Sequence, residues 1–202
     1  MAVPVPATEL EAINAMLFDI GERPVNTLVN QSRLDVLRAI DSLKITNRMT
    51  QETGWWFNTE NVVIALDTND QYTLDTDLVH TEVIDGGPET PTDGYPPELV
   101  QRGTILYDRA NALDTFPSTS EDVTLRCVRL LEFEDLPATA REYIYCAASI
   151  RFQSRTLGSA AVDADLREQA MVALTSLREE DLDFENLDQT KTPHFFNLMY
   201  NR

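Results

Sequence analysis

The apolar positions of this chain change their period twice, which divides it into a helical front, a strand-rich middle and a helical back. Leu10, Ile13, Leu17 and Ile20 recur at the three- and four-residue spacing that keeps side chains on one helix face. Thr8 followed three residues later by Glu11 forms a capping box, and Gly21 supplies the residue that leaves a helix with positive φ, so a short helix over 9–20 is predicted. Pro24 blocks immediate re-entry and fixes an extended exit, which makes 20–28 a shaped connector. A second helical pattern then places Leu34, Leu37, Ile40 and Leu43 on one predicted face and runs toward Gly54.

From Trp55 onward, β-branched and aromatic residues come in short runs broken by Asp, Asn, Gly and Pro. Strands are predicted at 55–58, 62–66, 71–74, 78–84, 103–107 and 123–131, with 98–101 either a helical turn or part of a strand. The Gly- and Pro-rich segment 85–97 reads as a loop. Two of Trp55, Trp56 and Phe57 are expected to pack the junction of helix and strand regions, leaving the third for a partner.

At Leu136-Pro137 the period returns to that of a helix, with Tyr143, Ile144, Ala147, Ala148 and Phe152 on one face and Gly158 as the stop. A last helix carries Leu166, Ala170, Ala173, Leu174 and Leu177. Beyond Asp181 the periodicity fails, and 183–202 reads as an arm bearing Phe195, Phe196, Leu198, Met199 and Tyr200. Five large apolar side chains close together would form an adhesive patch if left in water, so the arm is expected to dock, either back on the chain's own bundle or in a groove on a neighbouring subunit, and these five are the candidate partner-binding residues. The fold class expected is α+β: N-terminal helices over 1–54 and C-terminal helices over 133–182 forming a bundle, a β-rich domain inserted at 55–132, and the arm at 183–202.

Charge narrows the function classes. Sixteen basic residues against 34 acidic ones give a net −18, which argues against a nucleic-acid binder, since phosphate recognition needs concentrated Lys and Arg. At 43% apolar and 8% aromatic, the 202 residues are too hydrophobic for a disordered acidic tail. No secretory signal and no membrane span of about 18 apolar residues is expected. Cys127 and Cys146 have no metal-site spacing and are expected to be small core residues in a reducing compartment.

Candidate chemistry is sparse. His80 and His194 lack neighbours at metal-ligand spacing. The acidic stretch Asp67, Asn69, Asp70, Asp75 and Asp77 fails the EF-hand register, because Tyr72 stands where glycine is required and Leu78 where the bidentate glutamate belongs, so it reads as a solvated hairpin turn. Glu132, Glu134 and Asp135 are the residues a carboxylate-pair glycan hydrolase would use, an alternative that rests on a weak signal among so many acids. A small acidic binding module or DNA mimic rests on charge alone. No catalytic, cofactor-binding or metal residues are assigned, and no cofactor is expected.

Four strings carry more. Residues 19–28, Asp-Ile-Gly-Glu-Arg-Pro-Val-Asn-Thr-Leu; residues 54–58, Gly-Trp-Trp-Phe-Asn; Tyr107-Asp108-Arg109; and Leu136-Pro137 leading to Ala148-Ser149-Ile150-Arg151-Phe152 together resemble, in order and spacing, the tail tubular protein A family. That resemblance, from about residue 9 to 177, implies the adaptor of a short-tailed bacteriophage: a dodecameric ring between the portal protein and the tail nozzle, tail tubular protein B. It further implies a bundle with an inserted β-rich domain, a role in seating the tail fibre protein, and passage of genome DNA along the ring axis without specific binding. Localisation would be the virion tail, after assembly in the host bacterial cytoplasm. The segments 85–97 and 111–121 depart from the family pattern. Arg151 is a further candidate for partner binding or for pairing with an acidic neighbour. A lumen lined with acid would repel DNA phosphates and let the duplex slide.

Overall fold

The computed structural model describes residues 5–91 and 94–189, and the chain divides into two compact units, Met1–Thr50 with Glu132–Arg202 and Gln51–Leu131. The fold is mixed α+β: α1 (Glu9–Asp19), α2 (Leu34–Gln51), α3 (Ala138–Thr156) and α4 (Ala160–Gln189) flank five strands in the chain.

In the helical unit, α1 begins and ends where its cap residues dictate. The Thr8 hydroxyl accepts from the Glu11 N–H at 3.2 Å, and the Glu11 carboxylate accepts from the Ala7 N–H at 2.8 Å. At the other end Gly21 takes φ 78°. Its N–H reaches the Phe18 carbonyl and the Glu22 N–H reaches that of Leu17, both at 2.9 Å, which closes a Schellman motif. The connector is held by side chains: Asn14 brackets Val25, accepting from its N–H at 2.8 Å and donating to its carbonyl at 2.9 Å, while Arg33 pairs with Glu22 at 2.9 Å.

Helix α2 forms as expected but keeps only part of the predicted face inward, with Leu43 buried and Ile40 half-buried. Leu34 and Leu37 are 58% and 45% exposed, and the buried set is Val36, Ala39, Ser42, Leu43, Thr46 and Thr50. Apart from Val36 and Leu43, these inward positions are small or polar side chains, which carry little apolar signal of their own. Helix α3 is buried on more than one stripe, including Ile144, Tyr145, Cys146, Ala148, Phe152 and Gln153. It packs against α1 and, over a longer contact, against α4. The turn between α3 and α4 is short, and the Thr139 hydroxyl near the start of α3 donates to Glu180 far along α4 at 2.6 Å, so the pair is an antiparallel hairpin. Leu166, Ala170, Ala173 and Leu177 form the buried stripe of α4. The helix continues to Gln189, so 183–189, expected as the start of an arm, are helical.

In the β unit, β1 (Thr59–Ile64), β2 (Leu78–Gly86) and β5 (Val123–Arg129) form an antiparallel sheet in the order β1-β5-β2, and β3 (Leu99–Arg102) pairs with β4 (Ile105–Asp108) as a two-stranded ribbon. The alternative left open at 98–101 is thus resolved as a strand. Leu125 and Cys127 of β5, with Val62 and Ile64 beside them, face a core of Tyr72, Leu74, Leu106 and Phe116. Two expected strands are corrected. Residues 55–58 form a turn, because the Asn58 side chain accepts from the Trp55 N–H at 2.8 Å and donates to the carbonyls of Gln51 and Arg129. Residues 71–74 contribute only isolated bridges, Leu66 to Tyr72 and Thr73 to Ile105. Trp55 is buried, while Trp56 and Phe57 are half-buried and meet edge to face at 5.0 Å.

The chain enters and leaves this unit through one clasp. The fully buried Gln51 side chain donates to the Leu131 carbonyl at 2.9 Å and accepts from the Leu131 N–H at 2.8 Å.

Candidate interaction site

Two of the carboxylates singled out by their spacing, Asp67 and Glu134, accept from backbone N–H groups. Asp67 accepts from the N–H groups of Asn69 and Gln71 at 2.7 and 3.0 Å and from the Thr73 hydroxyl at 2.9 Å, and these bonds hold its carboxyl below the ordinary range. It is a turn anchor. Glu134 accepts from the Glu9 N–H at 2.9 Å, placing negative charge at the N-terminus of α1. Of the group Glu132, Glu134 and Asp135, Glu134 is thereby engaged at the start of α1. Among the described residues no group of three or more His, Cys, Asp or Glu is placed to hold a metal ion, and no helix is long and apolar enough to cross a membrane.

Burial sets the remaining titrations. Cys127 and Cys146 are free and buried, and burial raises both thiols, Cys146 to about 11. The Tyr145 hydroxyl donates to Asp19 at 3.2 Å, and burial raises both groups. Arg129 gathers three carboxylates at one end of the sheet: Glu60 at 2.6 Å, Asp75 at 3.3 Å, and Asp77. Hydrogen bonds to Asp77 and Glu60 hold its guanidinium firmly protonated.

Asp108, 2% exposed, builds a platform. Its Oδ1 accepts from the N–H groups of Glu98 and Ala110 at 3.0 and 2.9 Å, and its Oδ2 accepts from the Asn111 amide at 2.7 Å. Burial pushes this carboxyl up, but the hydrogen bonds from Asn111, Glu98 and Ala110 outweigh it and the net shift is downward. Asn111 in turn accepts from the Tyr95 N–H at 2.9 Å and donates to its carbonyl at 2.8 Å. Tyr95 therefore projects 73% exposed from a backbone fixed on both sides. Sequence reasoning missed this; the only sign was Tyr107-Asp108-Arg109 lying near a Gly- and Pro-rich loop.

The helical unit also leaves large apolar side chains in water. Phe18 is 80% exposed on α1, and Met171, Val172 and Leu182 are 72%, 63% and 56% exposed on α4. Met171 and Leu182 lie opposite the buried stripe of α4, eleven residues and thus about three turns apart. Arg151 donates from Nη1 to the Met49 sulfur at 3.4 Å, and one turn later Arg155 meets Asp41 at 3.7 Å. His80 is exposed on β2. Phe195, Phe196, Leu198, Met199, Tyr200 and His194 lie outside the described residues.

Several large apolar side chains thus stay exposed beside a well-buried core, as surfaces that neighbours cover often do. Comparison with known families agrees: the family described as "Tube: Tail tubular protein" matches residues 10–187. This chain belongs to the tail tubular protein family, a family of structural tail proteins. No curated protein matches it. Among solved structures, 15 chains are similar. One belongs to the virion of a native gene transfer agent particle, at 14% identity and a TM-score of 0.31, covering 84% of this chain and 92% of that one. A likeness at that level carries no argument, and the functional reading rests on the family match.

Proposed function

We propose that this protein is the head-to-tail adaptor of a short-tailed bacteriophage. It forms a dodecameric ring between the portal protein and the tail nozzle, tail tubular protein B, helps seat the tail fibre protein, and provides part of the channel through which DNA leaves. The observation that carries this is the family match over 10–187. The surface supports it: a ring needs a heterologous contact that closes, and Phe18, Leu34, Met171 and Val172 give the helical unit apolar patches for such contacts. The ring resides in the virion tail after assembly in the host cytoplasm. Charge fits the duct, because a chain with net −18 offers DNA phosphates repulsion in place of counterion release.

Sedimentation of the chain alone and with purified portal tests the reading. A dodecamer-sized increment on the portal particle supports it; a chain that stays monomeric beside unaltered portal contradicts it.

A further inference from the structure

The three-stranded sheet has an open edge at β1. The Asn58 carbonyl accepts from the Arg129 N–H at 2.8 Å, and the register continues from Thr59 opposite Val128 to Ile64 opposite Val123. In an antiparallel pair, opposed residues exchange both N–H···O=C bonds only at every second position. Glu60, Val62 and Ile64, in phase with Asn58, therefore turn their backbone groups to β5, and Thr59, Asn61 and Val63 turn theirs to the open side. Among the described residues no backbone hydrogen bond reaches those three from that side. Asn61 is exposed and Val63 is 64% exposed. The open run, 59–63, is about 13 Å long at 3.3 Å per residue. Below it lies the 55–58 turn, and above it the chain reverses at Asp67, whose N–H reaches the Gln71 carbonyl at 2.8 Å.

The other edges are broken or occupied. β2 has register shifts between Leu78 and His80 and between Val83 and Asp85, and the Gln101 side chain donates to its Leu78 carbonyl at 3.0 Å. β3 lies against β2. β4 is met by 72–74, with the Leu106 N–H on the Tyr72 carbonyl at 3.1 Å and the Leu74 N–H on the Thr104 carbonyl at 2.8 Å. A head-to-tail strand contact between copies needs two different open edges, so the described residues leave β1 to pair with itself, antiparallel about a two-fold axis. Centred on Asn61, the pairing uses all three outward residues: Asn61 faces Asn61 of the second copy, Thr59 faces its Val63, and Glu60 faces its Val62. Centring on Glu60 would oppose two carboxylates, and centring on Val62 would push Thr59 of the second copy against Ala65, next to the reversal at Asp67. Within its own chain Glu60 is paired with Arg129 at 2.6 Å, which offsets its charge at this edge. We propose that the free chain pairs through β1 with β1 of a second copy, antiparallel about Asn61, joining two three-stranded sheets into one. A ring with a single rotation axis contains no two-fold, so this pair belongs to the chain before assembly and does not rest on the adaptor reading.

Disulfide trapping of the full-length free chain, without portal, tests it. At the centre of the pair the two Asn61 Cα atoms would lie about 5.5 Å apart, within disulfide range. Each Val63 would stand about 13 Å along the strand from its counterpart, too far to bridge. Cys127 and Cys146 are buried and do not compete. Under copper–phenanthroline oxidation, Asn61→Cys should give covalent dimer in roughly tenfold or greater excess over Val63→Cys at the same protein concentration. On the unaltered chain, amide exchange at Asn61 and Val63 should slow severalfold as concentration rises, because pairing engages their outward N–H groups. Equal trapping at the two sites, no dimer from Asn61→Cys, or exchange at Asn61 and Val63 indifferent to concentration would overturn the proposal.

Discussion

At the scale of single residues, Arg129 in the three-stranded sheet and Asp108 in the ribbon hold the β unit by the same means, a charged group with several partners. Arg129→Met would leave Glu60, Asp75 and Asp77 facing one another without their shared cation. All three are well exposed, so screening tempers the loss; a destabilisation of about 2 kcal/mol by urea denaturation is expected, smaller in 1 M salt. Asp108→Asn keeps the shape but turns an amide toward the Asn111 amide, setting donor against donor at a 2.7 Å contact. The expected cost is about 1–3 kcal/mol at pH 7. Because the folded-state carboxyl is depressed, its stabilisation is present above the unfolded carboxylate range and is lost as pH falls through the folded value. The gap between parent and variant should therefore narrow as unfolding is measured from pH 5 toward pH 3.

At the scale of elements, what the sequence made legible depended on whether a local device or a tertiary contact decides the outcome. The Thr8, Glu11 and Gly21 caps are local, and α1 spans Glu9–Asp19 against an expected 9–20. The turn at Asp67 was legible for the same reason, and the burial of Cys127 and Cys146 from residue type alone. The inward face of α2 was not, because Ala39, Ser42 and Thr46 are buried by the neighbours they touch and carry little apolar signal of their own. Nor was the turn at 55–58, whose aromatic composition suggests strand until the bonds of Asn58 to Gln51 and Arg129 are known. The Tyr95 platform depends on Asn111, sixteen residues away, and no local pattern announces it. Two substitutions probe these elements. Gly21→Ala meets nothing within 4 Å, so only its positive φ matters, about 1 kcal/mol. Gly86→Ala places a Cβ 2.0 Å from the Asp122 carbonyl oxygen, at the end of β2 against β5, and is expected to unfold the sheet locally, read as lost amide protection in β2 and β5. Likewise Ala173→Arg, at a site 2% exposed on α4, should cost several kcal/mol, whereas the half-buried Ala147 should tolerate Arg better.

At the scale of the whole molecule, the chain has two compact units and matches the tail tubular protein family over 10–187. The exposed apolar side chains that would burden a lone soluble protein become contact area once neighbours cover them. A net charge of −18 opposes association of like subunits, so the proposed ring should form more readily from 50 to 200 mM salt as the Debye length falls to about 7 Å. Light scattering across that series checks the sign. The proposed adaptor role is tested most directly by imaging the chain bound to portal by electron microscopy. The account predicts a twelve-fold ring capping the portal on the tail side; portal particles bare of added density, or carrying single copies without a ring, would contradict it.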